Sequence, residues 1–143
     1  MGTVRTEMGN DPARLQALEV DECVRRLTEH VPQIGRVAFV LDGGLSVLPV
    51  NYAVHKGTIV LRTKAGGALD AAASQGPVAF EVDELDPPWQ EGWSVLVNGT
   101  CAPVTGGAEA AQLRRLRLQQ WATSDGLRYL RIVPREISGR QLL

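Results

Sequence analysis

Cysteine is scarce. Cys23 and Cys101 are the two in 143 residues, and they form no C-x-x-C or zinc-type spacing. The plain reading is a pair of buried free thiols in a reducing cytoplasm. Aromatic residues make up 5% and histidine contributes two residues, so a base-stacking surface is poorly supplied. Neither sign of charge prevails: the formal net charge is −1, where a dedicated nucleic-acid binder carries a basic excess. No apolar run approaches the length of a membrane span. Met1 to Asn10 is polar and lacks the apolar core of a secretion signal, so the Asn98-Gly99-Thr100 glycosylation match reads as chance. Hydrolytic and nucleotide motifs are missing too: no G-x-S-x-G, no H-E-x-x-H, no P-loop, and no G-x-G-x-x-G after a strand. His30 and His55 have no partners at metal-ligand spacing and read as ordinary surface or core residues.

What is present is a globular composition, 44% hydrophobic and 22% charged, at a length suited to one domain over residues 1–143. Residues 1–11 read as a loose polar start, and Asp11-Pro12 as a cap and first helical position. A helix is expected around Leu18 to His30, with Val20, Cys23, Val24 and Leu27 on one face and Glu22, Arg25, Arg26 and Glu29 on the other. Strands come next at Gly35–Leu41, Leu45–Val54, Thr58–Thr63, Pro77–Glu84, Gly92–Val104 and Leu127–Val133. Asp42-Gly43-Gly44 and Lys56-Gly57 read as hairpin turns. Pro49 implies a sheet edge or a bulge, and Gly99 a bend or bulge. A short helix is expected near Ala68–Ser74, ended by Gln75-Gly76-Pro77, and a longer one over Ala108–Ala122 with Leu113, Leu116, Leu118 and Trp121 as its stripe. Arg114, Arg115 and Arg117 form its wet face. Pro134–Leu143 is left as an ordered or semi-ordered tail. Strands joined mainly by hairpins, with helices at the periphery, predict a mainly β, six-stranded antiparallel barrel.

Residues 47 to 69 carry the strongest functional signal. Along the first strand Val50, Tyr52 and Val54 point one way, and Asn51, Ala53 and His55 the other. Along the next, Ile59 and Leu61 oppose Val60 and Arg62. That strand ends in Arg62-Thr63-Lys64, then Ala65-Gly66-Gly67 opens into a helix. A guanidinium, a hydroxyl and an ammonium beside a helix start suit a phosphate. The same residues also read as an ordinary solvated strand end. Trp93-Ser94 offers a flat ring face and a small hydroxyl at a strand mouth, although a core or interface tryptophan is the commoner fate. Glu81 and Asp83 share a strand face, where water or arginine partners are expected rather than an acid–base dyad. Cys23 reads as a packing residue.

The order of these pieces resembles the pyridoxamine 5′-phosphate oxidase-related family of flavin-binding split β-barrels. The matching stretches are Glu22-Cys23-Val24-Arg25-Arg26-Leu27, Gly35-Arg36-Val37-Ala38-Phe39, Pro49-Val50-Asn51-Tyr52, Leu61-Arg62-Thr63, Val78-Ala79-Phe80-Glu81-Val82-Asp83, Gly92-Trp93-Ser94-Val95 and Arg131-Ile132-Val133-Pro134. The resemblance implies a homodimer holding two FMN molecules between subunits and acting as an FMN-dependent oxidoreductase on a small molecule. By position, Val50, Asn51 and Tyr52 would line the isoalloxazine. Arg62, Thr63 and Lys64, with the Gly67-Ala68-Leu69 helix entry, would meet the phosphate. Trp93 and Ser94 would come from the other subunit. A lysine common in the family is Ala68 here. Loss of one charge-assisted contact weakens binding by roughly 1.5–3 kcal/mol, or about ten- to a hundredfold. A deazaflavin or haem in place of FMN, and a non-catalytic binding dimer, are the alternatives. The long basic C-terminal signature for pyridoxamine phosphate itself is not found.

Overall fold

A computed structural model describes residues 14–73, 76–116, 118 and 127–143. The expected Asp11-Pro12 cap, Ser74, Gln75, Arg117 and Trp121 lie outside the described residues. In chain order the elements are β1 (Leu15–Ala17), α1 (Val20–Glu29), β2 (Ile34–Leu41), β3 (Gly44–His55), β4 (Thr58–Lys64), α2 (Ala68–Ala72), β5 (Pro77–Asp86), a 3-10 turn (Pro87–Trp89), β6 (Glu91–Pro103), α3 (Gly107–Arg114) and β7 (Leu127–Leu142).

The sheet runs β1-β7-β4-β3-β2-β5-β6, and β6 pairs back onto β7. Six strands therefore close into the expected antiparallel ring, with β1 attached outside it. Closure depends on β7, which is 16 residues long. Its first part pairs with β4, from Leu127 opposite Lys64 to Ile132 opposite Ile59. Residues from Leu130 to Leu142 pair with β6, and the last three with β1. The expected tail after Pro134 is thus strand. Local sequence underrates it, because Pro134 and Gly139 break the strand pattern while the long ladder with β6, joined by β1 at the last three residues, supplies the order.

Proline and glycine mark the places where the ladders bend. Asp42-Gly43 and Lys56-Gly57 have φ of 53° and 78°, and 50° and 75°, the left-handed pairs of two-residue hairpins. Gly44 opens β3 rather than belonging to the turn. Pro49 lies opposite Arg36 in an unbroken register, so there is no bulge at that point. It sits on an edge instead, since β4 reaches only Tyr52 to His55 of β3. The bulge expected at Gly99 is present: Asn98 faces Glu136 and Gly99 faces Pro134, leaving Arg135 over. A Cβ on Gly99 would stand 2.2 Å from the Val133 carbonyl oxygen, which requires glycine there.

The ring interior holds Val37, Phe39, Tyr52, Leu61, Phe80, Val95, Val97, Leu130 and Ile132, all nearly or fully buried. Cys23 and Leu27 of α1, and Leu69 and Ala72 of α2, join this core. Val20, expected on the apolar face of α1, stays half exposed. A smaller cluster lies on the outer face of β3 and β4, where Ala53 and Val60 meet Leu113 and Leu118. The helix there ends at Arg114, well short of the expected Ala122. Arg114 and Arg115 are exposed, as expected of a wet face.

Candidate cofactor site

The two strand faces separate the expected site residues. Tyr52 and Val50 turn inward. The Tyr52 ring is fully buried, stands edge-on to Phe80, and donates its hydroxyl to the Leu27 carbonyl at 2.6 Å. Burial pushes its pKa up to about 12, so it stays a neutral phenol. What Tyr52 and Val50 present outward is backbone. Asn51 and Arg62 occupy the outer face, as the next residues along the β3–β4 register beyond Tyr52 and Leu61. Asn51 is 9% exposed, a buried polar side chain beside a cleft of about 260 Å³. Val31, Pro32, Gln33, Leu116 and Leu118 form the rest of its wall. The Arg62 guanidinium donates to the Leu118 carbonyl at 3.1 Å and lies 5.7 Å over the Tyr129 ring.

Beyond Arg62, β4 runs to Thr63 and the exposed Lys64. The chain then turns, with the Gly67 N–H donating to the Lys64 carbonyl at 3.0 Å. Gly66 has φ of 80°, and nothing lies within 4 Å of where its Cβ would stand. Space above this turn is open. α2 contributes less than expected of it, because it spans only five residues, too few for a substantial dipole. Ala68 is exposed and Leu69 is buried in the core as the anchor of this short helix. Two residues that motif reasoning passed over stand at the turn. Asp70 accepts the Gly66 N–H at 2.8 Å, and Arg128 of β7 approaches Asp70 at 3.6 Å. The signal for Arg128 is long-range, since the strand that sets it opposite Thr63 starts 64 residues after Thr63.

Trp93 and Ser94 lie elsewhere. Ser94 pairs with Arg140 near the far end of β7, whereas Arg62 pairs with Tyr129. That separation along β7 is roughly 35 Å of extended strand. One chain does not bring the two halves of the expected site together. Within this chain Trp93 faces α1, with the Arg26 guanidinium 5.5 Å from its centroid and the His30 ring edge-on at 5.4 Å. Ser94 instead faces an open depression of about 580 Å³, together with Leu15, Ala17, Leu96, Ser138 and Arg140.

Glu81 lines the same depression. It and Asp83 lie 3.8 and 3.9 Å from Arg36, the arginine partner expected for this pair. Burial, then a hydrogen bond with Asp83, push the Glu81 pKa up to about 7 against the opposing pull of Arg36. His30 meets Glu84 at 3.3 Å, and no group of three or more metal-ligating side chains occurs among the described residues. The Cys101 thiol is pushed up to about 11, first by burial and then by Asp70, which disfavours the thiolate. Cys23 is buried and likewise raised by burial, in keeping with a packing role.

An antiparallel ring closed by one long strand, with a cationic strand end and a glycine turn on its rim, defines a split β-barrel. Comparison with known proteins places the chain within that class. The family model described as pyridoxamine 5′-phosphate oxidase matches residues 19–141, and the chain belongs to this family. It is 32% identical to the Mycobacterium tuberculosis protein Rv0080 over 133 residues, covering 88% of this chain and 84% of Rv0080. A Corynebacterium glutamicum structure assigned as a pyridoxamine 5′-phosphate oxidase superposes with a TM-score of 0.76 at 32% identity, covering 90% of this chain and 94% of that one. The FAD binding protein from Mycobacterium smegmatis gives a TM-score of 0.76 at 30% identity, covering 90% of this chain and all of that one.

Proposed function

We propose that this chain binds FMN and serves as an FMN-dependent oxidoreductase acting on a small molecule. The observation that carries the reading is the rim of β4: Arg62 shares the outer face with buried Asn51, and the strand runs on through Thr63 and Lys64 into a glycine turn. The residues present suit a flavin nucleotide. Asn51 and the backbone of Val50 and Tyr52 would meet the ring system; Arg62, Thr63, Lys64 and the turn through Gly67 would hold the phosphate. The flavin supplies the hydride and electron transfer, so the chain needs no acid–base residue of its own. Its residues bind, orient and shield the ring.

A homodimer belongs to this reading. Trp93 and Ser94 reach a flavin held by Arg62 only if a second copy brings them. An outward face of β2 and β3 supports that assembly: Val40 and Leu45 oppose each other there, and Leu45 and Val47 are 86% and 61% exposed. Such side chains are costly to leave in water and favour an interface. The two free buried cysteines suit a cytoplasmic setting.

One observation favours FAD as a second reading. The Asp70 carboxylate already accepts the Gly66 N–H. FMN ends in a phosphomonoester bearing more than one negative charge near neutrality, while each phosphate of FAD bears one. A carboxylate at the turn repels the former more. The FAD binding relative from M. smegmatis agrees with this choice.

The test is the visible absorption of purified protein before and after incubation with FMN or FAD and desalting. A retained flavin spectrum, bleached by a nicotinamide donor and restored by an acceptor, is the expected result. Retained flavin that no donor reduces leaves a non-catalytic binding dimer. Protein that keeps no flavin overturns the reading, and a deazaflavin and haem become the next ligands to titrate.

A further inference from the structure

Arg128 is tied twice to the glycine turn, from two directions. Across the β4–β7 ladder it stands directly opposite Thr63. Side chains at opposed positions share a face, with Cβ atoms roughly 4.5–5.5 Å apart. Through Asp70 it is also linked to Gly66, since one carboxylate oxygen accepts the Gly66 N–H and the other lies 3.6 Å from Arg128 Nη1. At 3.6 Å that contact is an ion pair without a hydrogen bond. The Asp70 Oδ1 atom is buried and has no hydrogen-bond partner among the described residues.

Among the described residues, the ion pair with Asp70 is the contact that holds the guanidinium. The Arg128 side chain is 46% exposed. Other arginines are held more fully: Arg26 by Glu22 and Gln141, Arg131 by Glu109, and Arg62 by the Leu118 carbonyl and Tyr129. Arg128 and Lys64 give the turn two cations against the single carboxylate of Asp70. No described atom lies within 4 Å of where a Cβ on Gly66 would stand.

We propose that Arg128 is a phosphate-binding residue of this site, gripping the phosphate end of a flavin nucleotide together with Thr63 and the Gly66 turn. The inference rests on the flavin reading above and adds to it a ligand from β7. A guanidinium fork gives directional, charge-assisted bonds to phosphate oxygens. Asp70 holds the fork in place when no phosphate is present.

The experiment compares FMN with riboflavin, which has the same ring and no phosphate, by quenching of flavin fluorescence during titration with protein. Arg128→Gln is expected to weaken FMN about ten- to a hundredfold, by the value of one charge-assisted contact, and to leave riboflavin within about twofold. The same loss is expected when Arg128→Gln is made in an Asp70→Asn background. Unchanged FMN affinity, or equal loss for both ligands, overturns the proposal. So does a loss that vanishes in the Asp70→Asn background, because Arg128 would then act only as a counter-ion. Thermal melts of the variants keep a folding defect from passing as a binding defect. Wild-type protein that binds neither flavin sinks the flavin reading itself. Wild-type protein that binds FMN while Arg128→Gln binds it equally sinks only the role of Arg128.

Discussion

The two faces of β3 and β4 share one backbone and differ in what covers them. Inside the ring, Val50, Tyr52, Ile59 and Leu61 meet side chains from every other strand of the barrel, and the Tyr52 hydroxyl is fully satisfied. Outside, Ala53 and Val60 meet a cluster whose other buried members among the described residues are Leu113 and Leu118. Alternation along a strand delivers both faces from one sequence. The inner face is closed by the sheet itself and tolerates no unpaired polar group. The outer face is closed by the short helix α3 together with Leu116 and Leu118 just beyond its end, and there the chain places Asn51 and Arg62. The proposed cofactor site draws on the polar groups of this outer face, Asn51 and Arg62.

Deep truncations would break this contrast or sustain it. Tyr52→Ala removes a buried ring and leaves the Leu27 carbonyl without its donor, and is expected to cost about 3–5 kcal/mol in urea unfolding. Leu113→Ala, on the outer face, is expected to cost about 2–3 kcal/mol, because it removes a smaller buried side chain and no hydrogen bond. Equal losses, or a larger one for Leu113→Ala, would show that both faces are equally constrained.

A gain of function sharpens the outer face. Ala68 is exposed at the turn, so Ala68→Lys adds a cation there without disturbing the core. FMN affinity is expected to rise about tenfold or more, with riboflavin affinity unchanged, in the same fluorescence titration. A rise for both ligands would mean that the phosphate lies elsewhere.

The smallest effect concerns Glu81 of β5. Glu81 is raised to about 7 in the folded protein, above an ordinary value of 4.5. The folded state therefore holds the proton more tightly than the unfolded chain. Stability from this group is full below pH 4.5 and is lost as pH rises through about 7. Partial exposure limits the loss to about 1 kcal/mol or less. Glu81→Gln is expected to match wild type near pH 5 and to melt higher near pH 8. A variant that melts lower at pH 8 would show that the charged form is the stabilising one.

Much of the architecture was legible because it depends on local alternation and on turn chemistry. Val37, Phe39, Phe80, Val82, Val95 and Val97 alternate as half-buried strands do, and Asp42-Gly43 and Lys56-Gly57 take the left-handed turns expected of those residues. Gly99 marked its bulge in advance. Less was legible where partners are distant. β1 is three residues long and exists through pairing with the end of β7. Arg140, Ser94 and Glu81 line one depression from three strands. The rim of β4 could be proposed as a phosphate site from its own residues, but Asp70 and Arg128 could not be placed beside it, since one depends on the fold of the turn and the other on the β4–β7 register.

By itself, then, the sequence determined which residues alternate, where the hairpins turn, and that a cationic strand end meets a glycine turn, because each is set by interactions within a few residues. Only the tertiary structure decided that β7 closes the ring, that Tyr52 faces inward while Asn51 and Arg62 face out beneath Leu118, and that Arg128 stands across from Thr63. Those outcomes depend on ladder register and on burial between segments far apart in the chain. No local pattern of side chains specifies either one.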